Sequence, residues 1–170
     1  NKGKVLIMVQ EPNGVLIVHK HAGVTSHHIV GVVRRLYNTR RVGHAGTLDP
    51  MATGVLVVLV GRAAKASEYL SHDAKHYRAT LRLGLTTDTE DTTGEVLTTS
   101  ENIPTNKELQ AILPRFRGEI LQVPPMYSAL KVNGQKLVDL ARKGIEVERN
   151  ARDICINDIK VECINQQSGE

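Results

Sequence analysis

One carboxylate stands out for where it sits. Asp49 lies in Gly43-His44-Ala45-Gly46-Thr47-Leu48-Asp49-Pro50-Met51-Ala52-Thr53-Gly54, which runs straight into the apolar stretch 55–60. Three glycines and a proline around a lone acid, ahead of a buried strand, present the carboxylate from tightly turned backbone at a sheet's end, where sites are commonly built. An isolated Asp-Pro pair is most simply a turn cap; the surrounding glycines add a catalytic reading. Tyr77 falls in the alternating segment 76–83, with Tyr77, Ala79, Leu81 and Leu83 on its apolar side. His44 precedes Asp49 by five positions. Arg34, Arg35, Arg40 and Arg41 surround this loop's approach, Arg40 and Arg41 being the better placed to form an electrostatic lip for an anionic partner. His19 and His21 alternate on one strand and His27 and His28 open a helix, but no acidic or cysteine residue stands at zinc spacing from them. Neither a metal nor a cofactor is expected.

The elements that must position these residues follow from periodicity and punctuation. Residues 14–20 read as a strand and 26–37 as a helix, with Ile29, Val33 and Leu36 on one face and Thr25 or Ser26 as its cap. A long glycine-bearing loop, 38–54, leads into 55–60, which reads as a strand buried on both faces. Residues 63–70 read as a helix, 76–83 as a strand and the Thr- and Asp-rich 86–94 as a loop. Thr105 and Glu108 form a capping box before a short helix that Pro114 disturbs. Val132-Asn133-Gly134-Gln135 signals a two-residue hairpin, 137–143 a short helix stopped by Gly144, and 154–164 a returning strand. Without a strict βαβ rhythm, the fold class is α+β: a mixed, largely antiparallel central sheet flanked by helices.

Composition narrows the partners. A chain of 170 residues with 41% hydrophobic content supports one sizeable core, so one domain, 1–170, is expected. The net charge of +4 is modest, but residues 1–90 hold 12 of the 22 basic and 6 of the 18 acidic side chains, together with all 7 histidines. A basic half-chain suits an anionic partner, although a solvated basic face has the same composition. Cys155 and Cys163 form no disulfide framework, which favours a reducing cytoplasm. The run 55–60 is far short of the ~20 residues a membrane span needs, and 4–9 reads as neither signal nor anchor. No membrane association and no obligate protein partner are expected.

The loop 43–54 closely resembles the signature of the TruB-type tRNA pseudouridine synthases, Gly-His-x-Gly-x-Leu-Asp-Pro-x-Ala-x-Gly. The resemblance extends through Asn13-Gly14-Val15-Leu16, Lys20 with Gly23, Thr25 and Ser26, Gly61-Arg62-Ala63-Ala64-Lys65, and Lys75-His76-Tyr77-Arg78. Farther on it includes Arg82-Leu83-Gly84, Phe116-Arg117-Gly118-Glu119-Ile120 and Gln122 to Lys131. It implies a pseudouridine synthase fold acting on a uridine flipped out of the tRNA T stem-loop, the position-55 uridine by which the family is named. It further implies Asp49 as the nucleophile, with attack on sugar, attack on base and action as a base all open, and Tyr77 as the tyrosine that stacks on the uracil. By the same resemblance His44 packs where the base has left its stack, and Lys20 and Lys65 contact phosphate or support the loop. Tyr127, Lys131 and the rest of about 123–153 become an insertion that grips the RNA.

The sequence departs from that family at the end of its first strand, where His19, Lys20 and His21 stand in place of an acidic residue, Lys and Pro. It also stops at Glu170, where the family's next strand would bring an arginine to the nucleophile, so the catalytic domain is expected to be incomplete and the C-terminal RNA-binding extension absent. Two rival functions follow from the same residues. An inert RNA-binding chain would keep the basic half, but 1 Phe, 4 Tyr and no Trp give few stacking aromatics. A phosphoryl acceptor at Asp49 would need a second carboxylate for magnesium, and Pro50-Met51-Ala52 supplies none.

Overall fold

The computed structural model describes residues 11–70 and 74–162. The apolar segment 4–9, Cys163 and Ile164 lie outside them. The chain divides into two compact units, 1–78 and 79–170, each taken by itself.

In the first unit, β1 (Gly14–Lys20), β2 (Val42–Ala45) and β3 (Gly54–Val60) form a sheet in the order β1-β3-β2. Both outer strands run antiparallel to β3, so β1 and β2 are parallel to each other with β3 inserted between them. The helix α1 (Ser26–Leu36) makes the crossover. Thr25 caps it, accepting from the His28 N–H at 3.0 Å, while the adjacent Ser26 is buried. Val30 and Val33 from α1 pack on Val42, Leu56, Val58 and Val60, with Leu16, Val18, Ile29 and Leu48 at the margin. This is the core beneath one face of the sheet. A 3-10 turn (Gly61–Ala66) and the short α2 (Ser67–Leu70) follow β3, so 63–70 is helical but not one α-helix.

Three expectations for this unit need correction. The loop 38–54 contains a strand, β2, whose Gly43 and Ala45 hide the alternation; pairing with Leu59 and Val57 supplies what local pattern lacks. β3 is not buried throughout: Leu56, Val58, Leu59 and Val60 are, but Val55 is 66% exposed, on the face that also exposes Val15 and Ile17. Residues 76–83 alternate yet form no strand, since they join no sheet ladder among the described residues. Tyr77 is therefore 72% exposed instead of packed with an apolar face.

The second unit is built from small antiparallel pairs, so the expected α+β, largely antiparallel architecture is carried, among the described residues, by one three-stranded sheet and three two-stranded ones. β4 (Leu85–Thr87) pairs with β5 (Val96–Thr99), and the loop between them is tied by Asp91, whose carboxylate accepts from Thr93 and Thr89. Those bonds, the Thr93 hydroxyl first, hold the Asp91 carboxyl below its ordinary range. β4 thus takes Thr86 and Thr87 from the expected loop. α3 (Asn106–Ile112) begins with the capping box of Thr105 and Glu108 and runs into a 3-10 turn (Leu113–Phe116) at Pro114. β6 (Gly118–Gln122) pairs with β9 (Arg152–Ile156), which starts and ends earlier than the returning strand expected at 154–164. Residues 123–151 leave and rejoin at the paired Gln122 and Arg152. Within them the hairpin β7 (Lys131–Val132) and β8 (Gln135–Lys136) turns through Asn133 and Gly134, both at positive φ, and α4 (Leu137–Ala141) buries Leu137 and Leu140. Positive φ at both central residues is what a type I′ turn demands.

Gly61 closes the first sheet. Its φ is +64°, and a Cβ there would sit 2.3 Å from both the Pro12 carbonyl oxygen and Asn13 Oδ1, the atom that accepts from the Arg62 N–H. Gly61→Ala is expected to destabilise the protein by about 2 kcal/mol or more, from left-handed backbone plus overpacking. A urea denaturation midpoint unchanged from wild type would refute this.

Candidate functional site

The pairing of β1 with β3 runs from Gly14 opposite Val60 to Lys20 opposite Gly54. The end of β1 therefore lies beside the start of β3, and the segment 21–25 meets the loop 46–53 that carries Asp49. Asp49, Pro50, Met51 and Ala52 form a β-turn closed by the Ala52 N–H donating to the Asp49 carbonyl at 3.0 Å, with proline at its favoured second position. Aspartate at the head of such a turn often bonds to its own backbone. Here it does not: Asp49 is exposed, and among the described residues nothing hydrogen bonds to its carboxylate.

The backbone on either side of Asp49 is held from the β1–α1 segment. The Pro50 carbonyl accepts from the Gly23 N–H at 2.8 Å and from Lys20 Nζ at 3.4 Å. Lys20 Nζ also donates to the carbonyls of His21 at 3.0 Å and Val24 at 2.8 Å, and Lys20 has no exposed surface. Its three contacts all go to backbone carbonyls around the loop, and its ammonium is buried. On the other side, Leu48 is bonded through its backbone to Ser26. The result is a free carboxylate on anchored backbone, which suits nucleophilic or general-base chemistry.

The remaining candidates take separate positions. His44 is half-buried on β2 opposite Val58, with Nδ1 buried and lacking a hydrogen-bond partner. Arg40 and Arg41 are exposed just before β2, and Arg41 pairs with Glu11 at 3.1 Å between largely exposed side chains. Lys65 is exposed on the 3-10 turn after β3. Tyr77 stands in the segment without regular secondary structure at the end of the unit. Tyr127 and Lys131 belong to the second unit, where the Tyr127 hydroxyl donates to Asp88 at 3.4 Å and Lys131 opens the hairpin. Sequence reasoning missed Lys75, whose Cε lies 3.9 Å from where a Cβ on Gly46 would be, bringing a further basic side chain to the loop. Among the described residues, no three or more His, Cys, Asp or Glu gather as a metal-binding group, and no helix is long and apolar enough to cross a membrane.

Comparison with known proteins places this geometry in context. Residues 34–170 match the family described as TruB family pseudouridylate synthase (N terminal domain). The chain is 51% identical over 149 residues to tRNA pseudouridine synthase B of Bacillus velezensis, covering 86% of this chain and 48% of that protein. It is 48% identical over 163 residues to tRNA pseudouridine synthase B of Bacillus subtilis, covering 93% and 52%. The chain thus spans about half the length of these curated relatives. Among solved structures, a chain of a Cbf5-Nop10-Gar1 complex is similar at 28% identity and a TM-score of 0.45, over 69% of this chain and 31% of that one.

The carbonyls around Lys20 make a stability prediction. Lys20→Met keeps much of the stem but removes the ammonium from the His21 and Val24 carbonyls, leaving Pro50 with the Gly23 donor alone, and is expected to cost about 2 kcal/mol or more. Chemical denaturation measures it, and a loss below about 0.5 kcal/mol, the range of an ordinary surface change, would contradict the anchoring role.

Proposed function

The chain belongs to the TruB family of pseudouridylate synthases, and from that premise we propose that it serves in isomerising the T-loop uridine of tRNA, U55, to pseudouridine, with Asp49 as the nucleophile. The observation that carries this is the Asp49 carboxylate: exposed, unbonded among the described residues, and set on a turn whose neighbours on both sides are tied down. A reacting group benefits from having its direction fixed while its lone pairs stay available.

The reaction breaks the bond from ribose C1′ to uracil N1, turns the base and joins C1′ to C5, with the C5 proton lost and N1 protonated. No electrons are exchanged with another molecule, so no redox cofactor is required. The carboxylate divides the exchange into two easier steps, leaving the base side of the site to hold and turn the uracil. Tyr77, with its exposed ring, is assigned to stacking on that base, and His44, beside the loop, to the gap left in the RNA stack; unstacking costs a few kcal/mol that such contacts offset. Arg40, Arg41 and Lys65 offer exposed cations to phosphates, whereas Lys20 acts on the loop from within. Tyr127 and Lys131 are assigned to the tRNA T stem-loop, together with the rest of the excursion 123–151. A cytoplasmic location fits a tRNA-modifying role, and no obligate protein partner is invoked.

Two measurements test the reading. Asp49→Asn keeps shape and removes the nucleophile, so release of tritium from [5-³H]uridine-labelled tRNA is expected to fall to background while RNA binding persists. Turnover by the purified Asn variant would refute Asp49's role; a wild-type protein that binds tRNA without releasing tritium would assign it to RNA binding alone. Arg40→Ala with Arg41→Ala is expected to flatten the dependence of log affinity on log salt by about one to two units, since each lost phosphate contact removes roughly 0.7–0.9. The exposed Arg41–Glu11 pair offers little resistance to such a switch of partner, because surface pairs contribute at most about 1 kcal/mol. An unchanged slope would place both arginines off the RNA path.

A further inference from the structure

The residue before Asp49 has both of its backbone polar groups satisfied by one side-chain atom. Ser26 Oγ donates to the Leu48 carbonyl at 3.1 Å and accepts from the Leu48 N–H at 2.9 Å. A serine hydroxyl carries one donor and two acceptor sites, so it can do both at once, and neither alanine nor valine can. Ser26 is 2% exposed, which removes water as a competitor for these bonds. It is available for them because Thr25, its neighbour at the start of α1, takes the helix cap.

Leu48 is also held by its side chain, which packs at the margin of the core and comes within 3.9 Å of the place a Cβ on Gly54 would occupy. The Asp49 Cα follows Leu48 by one peptide, about 3.8 Å. Resting on the reading that Asp49 is the nucleophile, we infer that Ser26 is a positioning residue for the reaction: it sets the direction in which the Asp49 carboxylate leaves the loop, and it does so through Leu48 without touching substrate. Lys20 and Gly23 fix the position after Asp49; Ser26 fixes the one before it. With both in place the backbone on each side of Asp49 is tied to the β1–α1 segment.

A role in aiming differs from a role in folding by what it changes. Displacing a reacting group by about 1 Å can cost on the order of 100-fold in rate while leaving contacts remote from the chemistry intact. The test measures tritium release from [5-³H]uridine-labelled tRNA by the whole protein, comparing wild type, Ser26→Ala, Ser26→Cys and Thr25→Ala, beside a melting curve for each. Ser26→Ala is expected to lower kcat by about 10- to 100-fold with KM for tRNA changed less than about threefold. Thr25→Ala removes the neighbouring cap and is expected to lower the melting temperature while kcat stays near wild type. Ser26→Cys keeps most of the buried volume while weakening both bonds, and is expected to fall between wild type and Ser26→Ala in kcat. If Ser26→Ala and Thr25→Ala lose kcat in the same proportion to their loss of melting temperature, or if Ser26→Ala and Ser26→Cys both fail to fold, Ser26 belongs to folding alone and the inference is overturned. Undiminished kcat in Ser26→Ala would overturn it as well, with the functional reading intact. A wild-type protein without tritium release would remove that reading, and the inference with it.

Discussion

A buried ammonium is the constraint around which the first unit is arranged. Taking a lysine's charge out of water costs several kcal/mol unless acceptors converge on it. Lys20 meets three carbonyl oxygens and no surface of its own. Those oxygens come from two stretches of chain, His21 and Val24 on one side and Pro50 on the other. They surround the ammonium only when the segment after β1 and the loop before β3 lie against each other. The cost of leaving the charge partly satisfied therefore opposes any opening of the loop, and the turn bearing Asp49 inherits its order from that opposition. Pro50 suits this place because it lacks an N–H but keeps its carbonyl, which takes both the Lys20 and Gly23 donors.

What was legible in the sequence was mostly what is local. β1 and the start of α1 follow from alternation, helical spacing and a capping threonine. The capping box at Thr105 and Glu108 and the positive-φ pair Asn133-Gly134 are likewise decided within a few residues. β2 escaped notice because Val42-Gly43-His44-Ala45 has too few apolar side chains to announce a strand, and only β3 across from it makes it one. The error over 76–83 has the opposite origin: the alternation is present, but a strand is a relation between two segments, and among the described residues the second is absent. Asp49 was visible as a candidate because glycine and proline mark its loop. The bonds that hold that loop span 22 positions from Ser26 to Leu48 and 30 from Lys20 to Pro50, distances over which local pattern carries no signal.

The two histidine and arginine groups illustrate how a shared composition separates in space. His44 turns inward on β2 with a ring nitrogen buried, whereas His19, His21, His27 and His28 are exposed around the same end of the sheet. Arg34 reaches back to the Val42 carbonyl at 3.1 Å and ties α1 to β2, while Arg35, Arg40 and Arg41 stay outside. The basic half of the sequence is thus partly scaffold and partly surface, and counting charges alone overstates what an RNA would meet.

The register between β1 and β3 has a consequence for molecules that fold imperfectly. A slip of one residue moves a strand by about 3.3 Å and turns every side chain to the opposite face. Lys20, at the last paired position opposite Gly54, would then point away from the carbonyls it serves, and Pro50 would lose its ammonium donor. Misaligned copies would present the Asp49 loop without its lysine anchor. The sheet thereby works as a gauge, because the contacts of Lys20 with the Asp49 turn form only in chains whose strands have aligned correctly.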